Sequence, residues 1–189
     1  MPLEDVALAA GLAFWSLLPA YVANPMAVLF GGGTPMDFGR TLRDGRRLLG
    51  DGKTWRGFAG GIASGFVLGL ILQGIASLAS PRLSFGEWPV VLGILILLPF
   101  GALLGDLLGA FVKRRLGLER GARAPGLDQY DFLIGTVLVL LLLAPSWWVA
   151  RFWAGDGIWG LGFIILITPA LHRVVNVIGF RWGRKREPW

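Results

Sequence analysis

Five apolar runs, at residues 6–30, 57–80, 89–112, 132–150 and 158–180, leave this chain one environment in which to fold. The hydrocarbon core of a bilayer is about 30 Å thick, and about 20 helical residues rising about 1.5 Å each cross it. With 54% hydrophobic residues among 189 and a mean hydropathy of +0.64, the chain cannot be a soluble domain of ordinary composition. The pattern predicts an all-α integral membrane protein, a bundle of five transmembrane helices forming one catalytic domain over residues 1–189. Cytosolic loops are expected at about 31–56 and 113–131. Glu4 and Asp5, rather than a basic stretch, precede the first run, which therefore reads as a retained helix and not a cleaved signal.

Charge orients the bundle. Arg40, Arg43, Arg46, Arg47, Lys53 and Arg56 follow the first run, Lys113, Arg114, Arg115, Arg120 and Arg123 follow the third, and Arg181, Arg184, Lys185 and Arg186 follow the fifth. The loops of the opposite side carry only Arg82 and Arg151. The positive-inside rule then puts the N-terminus outside and the C-terminus in the cytosol of a multi-pass protein, expected in the plasma membrane. That rule and anionic lipid head groups account for a net charge of +6 without a nucleic-acid partner. They do not ask for the acids Asp44, Asp51, Glu119 and Asp128 in the same basic loops. Glycine recurs every fourth residue at Gly57, Gly61, Gly65 and Gly69 and again at Gly101, Gly105 and Gly109. Such stripes let helix backbones approach closely, within one chain or between two copies in a homodimer. Packing of the second run on the third is the expectation adopted, because it carries Lys53 and Arg56 toward Asp106. Pro99 and Pro169 are expected to kink their helices or free a carbonyl.

The available chemistry is narrow. With no cysteine and one histidine there is no thiolate nucleophile or zinc cluster, so a bound metal must take oxygen ligands. Asp106 is the only charge between Pro89 and Val112. A carboxylate near membrane depth costs about 2.5–3.5 kcal/mol on insertion scales, so it faces a partner, a cavity or a metal.

Three polar segments share the cytosolic face. In the first, Gly50-Asp51-Gly52-Lys53-Thr54-Trp55-Arg56-Gly57 runs into a helix start, where free N–H groups favour anions. Its Gly52-Lys53-Thr54 core is not a nucleotide-binding P-loop, since Arg47 stands where that motif has glycine and charged loop precedes it instead of a strand. In the second, Asp106 and Lys113 share a helix face about 10 Å apart. Taken singly, each of Lys113, Arg114 and Arg115 reads first as an interfacial anchor whose charge snorkels outward. In the third, Asp128 and Asp131 share a face at i, i+3, although Asp128 also reads as an N-cap. Three carboxylates beside many cations suit Mg²⁺, commonly held by one or two carboxylates plus substrate phosphates. In the last run, His172 and Asn176 lie one turn apart as interhelical hydrogen-bonding groups, and Arg173 needs an anion, either a lipid phosphate or Asp106. Asn24, before Pro25, reads either as a nucleotide contact or as a helix cap, and the cap is the reading adopted.

Together these segments resemble the CTP-dependent lipid cytidylyltransferases, in particular the short archaeal CDP-archaeol synthase branch. The resemblance runs through the Asp51-to-Gly57 loop, Gly105-Asp106 with Lys113-Arg114-Arg115, the Asp128/Asp131 pair and the ending from His172 through Asn176 to Gly179-Phe180. It implies transfer of CMP from CTP to a phosphorylated isoprenoid glycerol diether, with release of pyrophosphate. It also implies that Asp106, Asp128 and Asp131 hold the metal and act with Lys53 in catalysis. Lys53, Thr54 and Arg56 would bind nucleotide, joined by Lys113, Arg114 and Arg123. The bacterial CDP-diacylglycerol synthases, which act on phosphatidic acid, carry Lys-Asp and His-Gly-Gly before the final acidic pair; residues 118–126 here lack both. A small transporter is the rival from another class, and it lacks a polar trail across the outer halves of the runs. A CDP-alcohol phosphotransferase would need an Asp-Gly-x-x-Ala-Arg signature, whereas Asp51-Gly52 leads into Lys53-Thr54-Trp55-Arg56.

Overall fold

Apolar segments this long must satisfy their backbone groups internally, and the computed structural model accordingly shows helices and no strand among the described residues, 2–119, 121–184 and 187. Arg120, Lys185 and Arg186, counted above among the basic residues, lie outside the described residues. Four helices are long and apolar enough to cross a membrane: α1 (Leu3–Leu29), α2 (Trp55–Ala79), α3 (Val91–Arg115) and α6 (Gly157–Arg181). Glu4 and Asp5 lie in the first turn of α1, and Lys113, Arg114 and Arg115 lie in the last turn of α3; both sets complement the helix dipole. Thr54 caps α2 by accepting a hydrogen bond from Gly57 N at 3.2 Å.

The fourth expected run departs from its predicted form. It begins earlier and stops sooner, as α4 (Leu127–Leu143, 17 residues), which at about 1.5 Å per residue is shorter than the hydrocarbon core. Pro145 ends it, because the residue before a proline is driven out of the helical region, and Ala144 sits at φ −146°, ψ 51°. A four-residue α5 (Pro145–Trp148) and a π-helical turn (Val149–Trp153) continue the path.

Glycines set the helix spacing. A Cβ on Gly57, Gly61 or Gly65 would stand 2.6 Å from a backbone oxygen of α1, at Ala27, Ala23 and Pro19 respectively. Gly65 and Gly69 also receive Pro99 and Leu95 of α3, so α2 lies against α3 as expected. The α3 stripe corrects the sequence reading. Gly101, Gly105 and Gly109 face α4, where Gly135 and the backbone and side chain of Asp131 press into them. Two glycine-bearing faces meeting there permit backbone contact, which the larger Leu95, Pro99 and Leu103 prevent on the α2 side. Pro169 cannot donate to Ile165 O, and the Tyr130 hydroxyl fills that vacancy at 2.8 Å, joining α4 to α6. At the opposite end, Trp15 and Trp147 donate to the carbonyls of Leu83 and Phe85, and Arg151 donates to those of Arg82 and Ser84.

Candidate active site

The loop entering α2 is shaped by a buried carboxylate that periodicity cannot reveal. Asp37 Oδ1 accepts from Arg47 Nη2 at 2.7 Å and Gly39 N at 3.1 Å; its Oδ2 accepts from Gly50 N at 2.8 Å, Leu49 N at 3.0 Å and Arg47 Nε at 3.2 Å. Burial alone would raise its pKa, but the Arg47 guanidinium and the three N–H groups hold the carboxyl well below the usual carboxylate range. A carboxylate depressed by folding stabilises the native loop above its unfolded pKa of about 3.9, and that stabilisation is lost as pH falls through the lower folded value. Protection of segment 39–50 against hydrogen exchange, corrected for intrinsic rates, should therefore persist at pH 4 and fall away only below it. Loss of protection already between pH 6 and 4.5 would contradict this assignment.

Beyond the turn, Met36 N bonds to Lys53 O at 2.7 Å and Trp55 N to Thr34 O at 3.2 Å, so the stretch before α2 is held like a short ladder. It delivers Lys53 Nζ to Asp106 Oδ2 at 2.5 Å, with both side chains one quarter exposed. Across α3, Lys113 Nζ pairs with Asp128 Oδ1 at 2.7 Å. Asp128 Oδ2 also accepts from Ala124 N at 2.8 Å, so it holds the chain entering α4 as well as the lysine. Asp131 is 7% exposed, packs on Gly109 and lies within electrostatic reach of Asp106, Lys53 and Lys113.

These groups share one cavity of about 550 Å³, whose wall includes Lys53, Thr54, Asp106, Lys113, Asp128 and Asp131. Apolar side chains of α1 and α6, among them Met26, Leu29, Val175 and Ile178, form another part of that wall. Arg56, Arg114 and Arg123 stand off the wall; Arg56 lies over Gly33, and Arg123 is exposed. His172 and Asn176 do line the cavity, with Asn176 Nδ2 at 3.2 Å from the His172 ring. Arg173 is exposed and off the wall, and Lys53 takes the place beside Asp106 considered for it. Asn24 is no cap, because α1 continues past it to Leu29. It lines the cavity, and its buried Oδ1 has no hydrogen-bond partner among the described residues. Besides Asp37, sequence reasoning missed Tyr21 and Thr168, whose hydroxyls meet at 2.6 Å on the cavity wall.

No three acidic or histidine side chains gather as a metal cluster among the described residues. The donor set nevertheless fits a hard divalent ion. Asp106 and Asp131 offer carboxylate oxygens to one cavity, and an ammonium group already stands as a cation on Asp106. Mg²⁺ is usually completed by substrate phosphates and water rather than by a protein cage.

Comparison with known proteins agrees over nearly the full length. The family described as CarS-like, CDP-archaeol synthase, matches residues 7–189. The CDP-archaeol synthase of Methanoculleus marisnigri is 48% identical over 173 residues, covering 92% of this chain and 100% of that protein. Those of Methanosarcina acetivorans (44% over 179 residues, 92% and 100%) and Pyrococcus abyssi (45% over 179 residues, 94% and 96%) are similar. A solved structure of an intramembrane enzyme for archaeal membrane lipid biosynthesis superposes with a TM-score of 0.60 at 38% identity, covering 84% of this chain and 91% of that one. A family match from residue 7 to residue 189, these identities and a shared helical architecture lead to one conclusion: the chain belongs to the CarS-like, CDP-archaeol synthase family.

Proposed function

We propose that the protein transfers CMP from CTP to a phosphorylated isoprenoid glycerol diether, giving a CDP-archaeol-type lipid and pyrophosphate. One observation carries this reading. Lys53 with Asp106, Lys113 with Asp128, and Asp131 line one cavity whose wall also includes an apolar face of α1 and α6. Cations for phosphate, carboxylates for a hard metal and an apolar wall for a lipid are the three requirements of the reaction.

The lipid phosphate oxygen attacks the α-phosphorus of CTP in line; the new P–O bond forms as the bond to the pyrophosphate oxygen breaks. A phosphate monoester has a second pKa near 6, so it arrives ionised and no general base is needed. Lys53 and Lys113 exchange their carboxylate partners for phosphate oxygens and neutralise charge growing on the leaving pyrophosphate. Thr54, with the first turn of α2 behind it, positions the triphosphate. Arg56, Arg114 and Arg123 stand off the cavity wall, and in this reading they meet the triphosphate only where it emerges from the cavity. When bound, Mg²⁺ supplies charge neutralisation and orientation of the phosphates, with Asp106 and Asp131 as its ligands and Asp128 completing the acidic set.

In the same reading residues 1–189 form one transmembrane domain in the plasma membrane, with the N-terminus outside and the C-terminus cytosolic. The path α4–α5–Trp153 makes the fifth crossing, supported by the basic residues that flank α1, α3 and α6 on one side. A homodimer would use the uncovered Leu166 and Val174 face of α6.

Purified protein given CTP, Mg²⁺ and the phosphorylated diether should release pyrophosphate and form the CDP-lipid. Folded protein that does neither contradicts the proposal. A phosphatidic acid preference would favour the bacterial-type activity, and CTP-independent flux in proteoliposomes would favour a transporter.

A further inference from the structure

Asp37 does not touch the cavity, yet its side chain is 0% exposed and both oxygens are fully engaged. The bonds lead somewhere specific. Gly50 donates its N–H to Asp37, and Gly50 O accepts from Lys53 N at 3.2 Å, so two hydrogen bonds connect the buried carboxylate to the backbone of the cavity lysine. Arg47, held through Nε and Nη2 by Asp37, reaches with Nη1 to Asp51 at 2.8 Å, which fixes the other shoulder of the same turn. The Arg47 carbonyl accepts from Arg115 Nη2 at 2.5 Å, and Arg115 Nη1 bonds Asp44 at 2.6 Å. The loop is thereby tied to the end of α3, the helix that carries Asp106 and Lys113.

We propose that Asp37, acting with Arg47, is a positioning residue: it holds the 49–53 turn so that Lys53 meets Asp106, and so sets the rate of CMP transfer without touching either substrate. This rests on the function proposed above. A long lysine on an unbraced glycine turn would sample many positions. A displacement of about 1 Å at a reacting site is enough to cost about 100-fold in rate. Two of the turn's five residues, Gly50 (φ 98°) and Gly52, carry no side chain that could brace it, so the bonds from Asp37 and Arg47 supply the rigidity.

Two readouts test it. Modification of lysines by a small amine reagent, followed by peptide mass spectrometry, should show Lys53 reacting severalfold faster in Asp37→Asn than in the parent. Lys113, paired with Asp128 on another element, should stay unchanged as the internal reference. In turnover, Asp37→Asn should lower kcat by about 10- to 100-fold with a smaller effect on KM for CTP, and should add nothing to Lys53→Ala. Equal factors in the parent and Lys53→Ala backgrounds, or Lys53 and Lys113 reactivities that stay level or move together, overturn the proposal. If Asp37→Asn fails to insert, Arg47→Lys, which keeps the charge but loses the fork, carries the same expectations. A parent protein silent with CTP removes the functional reading, whereas the lysine labelling still decides whether Asp37 braces Lys53.

Discussion

Asp106→Asn is expected to lower turnover by about 100- to 1000-fold while leaving the bundle folded, the scale seen when one electrostatic contact to a reacting group is removed. The exchange is nearly isosteric, and Asp106 is accessible from the cavity, so the cost falls on charge and not on packing. Lys53 would lose its anionic partner at 2.5 Å, and the cavity would lose one of its three buried or half-buried carboxylates, the one that α3 supplies opposite Asp128 and Asp131 of α4. Initial rates of pyrophosphate release, on protein shown to be monodisperse in detergent, measure the effect. Turnover within threefold of the parent would remove Asp106 from the mechanism.

Gly135→Ala should do comparable damage by an unrelated route. A methyl group there would run into the carbonyl of Gly101 and the backbone of Gly105, and neither can swing aside as a side chain would. The helices α3 and α4 must separate, which costs about 1–3 kcal/mol as overpacking and moves Asp131 away from Asp106. A shift of about 1 Å between them predicts a rate loss of about 100-fold. Gly93→Ala is the control, because nothing stands within 4 Å of its added methyl. Thermal stability and kcat should both drop for Gly135→Ala and hold for Gly93→Ala. Parent-like behaviour of both variants would mean that the α3–α4 seam tolerates far more separation than its backbone contacts imply.

The helical class and the approximate positions of α1, α2, α3 and α6 were legible because a bilayer imposes length and apolarity together, and both are local properties of a sequence. Where another rule competes, the reading slipped. Pro145 divides the fourth run, yet Leu142 and Leu143 before it and Trp147, Trp148, Val149 and Ala150 after it are uncharged and apolar, so a scan for apolar residues passes over the break. The glycine stripes announced close packing but not their partners, since a stripe records the shape of one face. Gly135, a single glycine without periodicity, chose α4 as the partner of α3.

At the site, Lys53, Asp106, Lys113, Asp128 and Asp131 stood out because charge beside an apolar run is conspicuous. Asp37 did not, since one of three acids in a loop full of arginines looks like surface until its five hydrogen bonds are seen. Asn24 was mistaken for a cap because Asn-Pro commonly marks a helix boundary. Here α1 runs through Pro25, and the amide oxygen faces the cavity. Arg56, Arg114 and Arg123 show the converse, since proximity in sequence to a site residue does not put a flexible cation on the wall.

In the proposed reaction, carboxylates from α3 and α4 hold a divalent ion that carries the nucleotide. Calorimetric titration of CTP into the purified protein, with Mg²⁺ and with chelator, tests it most directly across the parent, Asp106→Asn and Asp131→Asn. The parent should bind CTP only until chelator is added, and each variant should bind it more weakly by about tenfold or more, equivalent to about 1.4 kcal/mol. Equal CTP affinity in all three proteins, indifferent to Mg²⁺, would contradict it.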